Sequence, residues 1–161
     1  MNGVPADLAP GCRRAQLVGF ALVASIVIDG AIVQLIRAMR APFSGFAPGA
    51  PVDTLRMVFV VLAVVDFALI RFMRSQMLSA PARGARPSAS ADEITRRLST
   101  ASIVSLAIGM SIAINGLVLF LIGGRPLDFY GFAVVSLLAL AVYFPRLAQW
   151  EEWAKGSARR V

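Results

Sequence analysis

The sequence predicts an all-α membrane protein with four transmembrane helices, arranged as two tandem hairpins that repeat each other in parallel orientation. Hydrophobic residues make up 58% of the 161-residue chain, and charged residues only 16%. The apolar residues fall into four spans, at about 16–36, 55–73, 100–122 and 128–145. Each span approaches the roughly 20 residues that a helix needs to cross a bilayer, where the backbone must satisfy its hydrogen bonds within the segment.

The first and third spans are repeats of each other. Residues 17–37 align with residues 103–123 at a constant offset of 86, and eight of the 21 pairs are identical. Positions four residues apart share a helix face, so both copies present a stripe of small residues that ends in a polar one. We expect the following small residues to form helix-packing faces: Ala21, Ser25, Gly30, Ala107, Ser111 and Gly116. Because both copies run in the same direction, they predict a parallel repeat about an axis near the membrane normal.

A segment typical of a flexible linker separates the two hairpins. Residues 1–78 form the first predicted hairpin and residues 92–161 the second, while residues 79–91 (SAPARGARPSASA) connect them in the cytoplasm. Pro145 is expected to end the fourth helix near the interface. Beyond it, Trp150 and Trp153 belong to a short amphipathic segment, which is typical of the headgroup boundary.

Cationic residues are distributed unequally between the two sides of the four spans. Twelve of the 16 lie in the N-terminal tail, the middle segment and the C-terminal tail. The four on the other side are Arg37, Arg40, Arg56 and Arg125. Since positively charged segments remain in the cytoplasm, both termini are predicted to be cytoplasmic. The excess of arginine over lysine, 15 to 1, favours a high-GC bacterial source and hence the cytoplasmic (inner) membrane.

The composition argues against enzyme, metal and nucleic-acid functions. Cys12 is the single cysteine and there is no histidine, which leaves few metal-binding or redox residues. The sequence contains no glycine-rich phosphate loop and no pairing of a nucleophile with a base, so no catalytic residue and no cofactor are expected. The net charge of +7 is explained by basic residues that flank membrane helices, and nucleic acid is not an expected partner.

Two carboxylates lie inside the predicted spans, Asp29 in the first and Asp66 in the second. Each costs roughly 2.5–3.5 kcal/mol near a helix centre, which the many apolar residues of its helix offset. One hypothesis is structural: Asp29 bonds Asn115, and Asp66 extends toward Arg71. A second hypothesis is that Asp29, Asp66 and Asn115 bind an ion or relay protons, and a third is that the carboxylates contact a partner.

Residues 110–118 (MSIAINGLV) resemble the carboxylate helix of the ring-forming subunit c of rotary ATP synthases. That family often reads acid-x-x-Ala-Ile-Tyr-Gly-Leu-Val there, so five positions match, and Asn115 stands where tyrosine is usual. Met110 occupies the position of the ion-carrying Glu or Asp. The resemblance implies a relative that kept close-packed helices and lost the proton site. As a whole, the chain also resembles small bacterial four-span inner-membrane proteins.

These features predict a structural or accessory subunit that packs into a homo- or hetero-oligomeric membrane complex. Its expected partners are the lipid bilayer and either further copies of itself or other membrane subunits. The alternative is a small ion- or proton-conducting protein, related to subunit c, that uses the intramembrane carboxylates. In the first case these acids affect stability and assembly, and in the second they titrate with activity.

Overall fold

The protein folds into four α-helices, seen in a computed structural model that describes residues 8–79 and 91–148. They are α1 (Leu8–Met39), α2 (Val52–Ser79), α3 (Ala91–Gly123) and α4 (Pro126–Tyr143). Within these residues there is no β-strand, so the all-α prediction is confirmed. Most of the predicted linker and the segment with the two tryptophans lie outside the described residues.

Three of the helices are long and apolar enough to cross a membrane. They are the stretches Ala9–Met39, Thr95–Gly123 and Pro126–Tyr143. Helix α2 differs because every stretch of 18 residues in it contains three charged residues. Only 14 residues separate Arg56 from Arg71, and Asp66 lies among them. The part of α2 between these two arginines is therefore roughly 21 Å long, shorter than the ~30 Å hydrocarbon core.

Helix α3 is the centre of the bundle. It packs against all three other helices, and α1 also packs against α4. The pairs α1–α2 and α2–α4 make only marginal backbone contact. The first two helices, which belong to one predicted hairpin, thus lie on different sides of α3.

The first loop explains this separation, because it crosses the C-terminal end of α3. The backbone N–H groups of Phe46 and Ala47 donate to the carbonyls of Leu121 and Ile122, at 2.8 and 3.3 Å. These carbonyls belong to the last turn of α3, where no helical partner remains for them. The loop therefore caps α3 while it carries the chain from α1 to α2. We call this end of the bundle the loop end, and the opposite end the terminal end.

Small residues bring α3 and α4 close together. The Ser136 hydroxyl donates to the Gly109 carbonyl at 2.7 Å, a bond between the two helices. A Cβ placed on Gly116 would lie 2.5 Å from the Phe132 Cβ and 3.2 Å from the Phe129 carbonyl oxygen. Only glycine fits at this contact, which makes α3–α4 the tightest pairing described here.

At the terminal end, the start of α1 holds the chain that follows α4. The Gln16 amide donates to the Pro145 carbonyl at 3.1 Å, and the Phe20 and Phe144 rings meet edge to face at 5.3 Å. Helix α4 ends at Tyr143, and Phe144 is extended, as expected for the residue before a proline. The N-terminal end of α1 and the C-terminal end of α4 are thereby fixed to each other.

Candidate functional site

The buried face of α1 is narrower than the small-residue stripe suggests. Its fully buried residues follow a regular spacing of three, four and seven: Cys12, Ala15, Gly19, Ile26 and Val33. Ala21 is exposed, and Ser25 is half-buried. Ala21 therefore makes no packing contribution within one chain, and it faces outward from the bundle.

Asp29 lies on the edge of α1 that is turned away from α4. A Cβ on Gly30 would contact the Phe129 ring at 3.7 Å, and the Gln34 amide donates to the Tyr130 hydroxyl. These contacts direct Gly30 and Gln34 toward α4. Successive residues turn by about 100°, so Asp29 lies on the other side of the buried line that Ile26 and Val33 define.

The carboxylate of Asp29 is half-buried and has no partner. Among the residues that the structure describes, neither Asp29 nor Asn115 makes a side-chain hydrogen bond or ion pair. The hydrogen bond between Asp29 and Asn115 that the structural hypothesis predicts is therefore not formed. An unpaired carboxylate inside a membrane helix is costly, and within the described residues no side chain offsets this cost for Asp29.

Asp66 has a partner, but not the expected one. The Ser111 hydroxyl of α3 lies 2.7 Å from Asp66 Oδ2 and also 2.7 Å from the Ile108 carbonyl of its own helix. Arg71 is five residues further along α2, which places it about 140° around the helix from Asp66. Asp66 therefore points to α3, and Ser111 links the two helices at this level.

One side of α3 remains uncovered between α1 and α2. Its exposed residues are Thr100, Ile103, Ala107 and Ile114, which we call the open face of α3. Ser111 lies at the α2 edge of this face, beside Asp66. Asp29 projects from α1 at the other edge. Asp29 and Asp66 thus border the same open face from opposite sides.

The two carboxylates differ in depth by less than two helical turns. A Cβ on Gly19 of α1 would be 3.5 Å from the Leu106 Cδ1 of α3, and the two helices run in parallel. Ten residues further along both, Asp29 is level with Gly116. The level of Gly116 is roughly 7–8 Å along the axis from Ser111, the partner of Asp66, since each residue advances the helix by 1.5 Å.

The remaining predicted packing residues divide between two faces of α3. Gly116 is buried against α4, whereas Ala107 is exposed on the open face. Met110, the position that matches the subunit c carboxylate, is 7% exposed and packs in the core. The side chain at this position therefore points away from the open face.

A charge network at the loop end was missed by the sequence reasoning. Arg56 of α2 binds Asp128 of α4 through two hydrogen bonds, Nε to Oδ1 at 2.8 Å and Nη2 to Oδ2 at 2.9 Å. Asp53 lies 2.9 Å from Arg56 and 3.3 Å from Arg125. Each acid lies in the first turn of its helix and is close in sequence to an arginine. This pattern in the sequence is a signal that could have indicated the charge network.

No protein-family model, curated protein or solved structure matches the chain. The helical architecture and its three candidate spans define the class, which is a multi-pass membrane protein.

Proposed function

We propose that the protein is a subunit of a larger assembly in the bacterial inner membrane, with four spans and both termini in the cytoplasm. The observation that carries this proposal is the open face of α3. The helix at the centre of the bundle is uncovered on one side, and two carboxylates border that side. A face of this kind is better suited to a protein neighbour than to lipid.

The energetic argument starts from Asp29. A carboxylate near the centre of a span raises the free energy of membrane insertion by roughly 2.5–3.5 kcal/mol. Ser111 offsets part of this cost for Asp66, but no described residue does so for Asp29. A neighbouring helix that offers donors to this face lowers the cost, and lipid chains offer none.

The small residues of the repeat favour the same interpretation. Ala21 and Ala107 occupy matching repeat positions, and both are exposed. Small side chains on the surface of a membrane helix allow another helix to approach closely. The contact between Gly19 and Leu106 also brings the two repeated helices together with an offset close to 86, in support of a parallel repeat.

The spanning role of α2 is supported by the partners of its arginines. The two-point pair with Asp128 neutralises Arg56 at the loop end. At the terminal end, the Arg74 guanidinium lies 5.4 Å from the centre of the Tyr143 ring. Long arginine side chains extend toward the interface, so a helix with a short apolar centre is able to cross.

The experiment is intact-complex mass spectrometry of the tagged protein, extracted gently from its native membrane. We expect a defined assembly heavier than one chain. Ala107→Leu places a large side chain on the open face and should abolish that assembly. The matched control is Ala141→Leu, an exposed position on α4, which should leave it intact.

Two results would overturn the proposal. One is a single chain under all mild extraction conditions. The other is an assembly that Ala107→Leu leaves unchanged in mass and amount. Circular dichroism of both variants establishes that the helices are retained, so a lost assembly is not confused with unfolding.

A second function, binding or conduction of protons or cations, is favoured by one observation: Asp29 and Asp66 border the same face, and Asp29 has no donor. Proton uptake by proteoliposomes tests it. Uptake that the unaltered protein shows and that is lost in Asp29→Asn and Asp66→Asn supports conduction. Uptake that the unaltered protein lacks, or that is unchanged in both variants, removes it.

A further inference from the structure

We propose that the open face of α3 binds a transmembrane helix of another protein, one that carries a lysine or arginine near the middle of its span. This inference rests on the proposed function and names the chemistry of the partner. The occupant is identified by charge complementarity with Asp29 and Asp66.

The first step is the charge at this face. Asp66 receives one hydrogen bond, from Ser111 to Oδ2, and its Oδ1 has no donor among the described residues. Asp29 has none at either oxygen. Two carboxylates on opposite edges of one uncovered face, roughly 7–8 Å apart along the helix axis, are complementary to a long basic side chain that enters between them.

The second step concerns a second copy of this chain, whose described arginines are poorly placed to supply that cation. The described arginines lie near the ends of the helices: Arg13, Arg14, Arg37, Arg40, Arg56, Arg71, Arg74, Arg96, Arg97, Arg125 and Arg146. Those of α2 illustrate the point, because Arg56 is paired with Asp128 and Arg71 is turned away from Asp66. In a parallel copy, no described cation reaches the level of Asp29.

The third step is the shape of the face. Ala107 has a small side chain and is exposed, and Ile103 and Ile114 on either side of it supply apolar surface. A partner helix is therefore able to approach α3 closely at Ala107 while its basic residue meets the carboxylates. Pairs of acidic and basic residues inside membrane segments are the usual way in which such charges are accommodated.

The test uses synthetic transmembrane helices as probes. A Leu/Ala peptide with one central lysine, and the same peptide with methionine at that position, are each reconstituted with the full-length protein in phosphatidylcholine vesicles. Energy transfer between labelled peptide and labelled protein measures association. We expect the lysine peptide to bind about tenfold more tightly than the methionine peptide.

Two variants relate this preference to the carboxylates. The double substitution Asp29→Asn with Asp66→Asn keeps the size of both side chains and an oxygen that accepts a hydrogen bond from Ser111. It should abolish the preference, so that the lysine and methionine peptides bind with about equal affinity. Asp53→Asn is the matched control, because Asp53 is 80% exposed at the loop end, away from the open face. It should leave the preference unchanged.

Equal binding of the two peptides, or a lysine preference that survives the double substitution, overturns the inference. So does self-association of labelled protein that displaces the lysine peptide, because it assigns the face to a second copy. These failures are distinct from failure of the proposed function, since a native assembly that requires Ala107 can persist while the preference for lysine is absent.

Discussion

The guanidinium of Arg56 and the carboxylate of Asp128 form a two-point ion pair that connects α2 to the first turn of α4. Asp128 is only 9% exposed at its side chain, and Arg56 is 31% exposed. Because α2 and α4 make only marginal backbone contact, this pair is a main link between them at the loop end. Arg56 lies near the start of α2, the least apolar of the four helices. The pair with Asp128 neutralises its charge there.

Removal of Asp128 should therefore destabilise the bundle. Asp128→Ala leaves Arg56 half-buried without its main partner, and we expect a loss of about 1–3 kcal/mol in unfolding free energy. Unfolding by denaturant in detergent measures it. Asp53→Ala, at an exposed member of the same network, should cost less than about 0.5 kcal/mol. Equal losses in the two variants would contradict the central role of the pair.

The approach of α3 to α4 depends on Gly116. Gly116→Ala introduces a Cβ 2.5 Å from the Phe132 Cβ, which is close to the backbone and unable to move aside freely. We expect a loss of about 1–3 kcal/mol from overpacking. Gly131→Ala on α4 is the control, because no atom lies within 4 Å of the added Cβ. It should be neutral or stabilising by up to ~1 kcal/mol.

The alignment of α1 with α3 at an offset of 86 pairs Ser25 with Ser111. Ser111→Ala removes the only donor to Asp66 among the described residues and should cost about 1 kcal/mol, as is usual for a polar bond between membrane helices. Ser25→Ala, at the equivalent repeat position, removes no described hydrogen bond and should change stability by less than about 0.5 kcal/mol. Thermal unfolding of both variants in the same detergent distinguishes them, and a larger effect at Ser25 would contradict the assignment.

Helix positions were largely predictable from the sequence, because apolar runs in lipid must be helical. The arrangement of the helices was not. The sequence predicts two tandem hairpins but not that the long first loop spans the end of α3 and separates α1 from α2. That crossing depends on the backbone hydrogen bonds from Phe46 to Leu121 and from Ala47 to Ile122, which have no signature in the amino-acid pattern.

The candidate site was predicted in part. Asp29 and Asp66 were singled out because carboxylates inside predicted spans are rare, and Ser111 was singled out as a small residue of a helix-packing face. Their partners were not predictable, because pairing depends on which way each helix is rotated. Asp66 binds Ser111 and not a nearby arginine for this reason. The pair Arg56–Asp128 was missed because its members are 72 residues apart and belong to different predicted hairpins.

The crossing of the first loop over α3 depends on Gly45. Its φ is +86°, and a Cβ there would lie 2.0 Å from the Ile122 carbonyl oxygen. Gly45→Ala should therefore displace the loop from α3, with a loss of at least about 2 kcal/mol from strain and lost hydrogen bonds. Amide hydrogen exchange at Phe46 measures this directly, because its N–H is bonded to Leu121 at 2.8 Å. Gly49→Ala, in the same loop with open space around the added Cβ, should keep that amide protected. Protection of Phe46 in both variants would show that the loop does not require glycine at position 45.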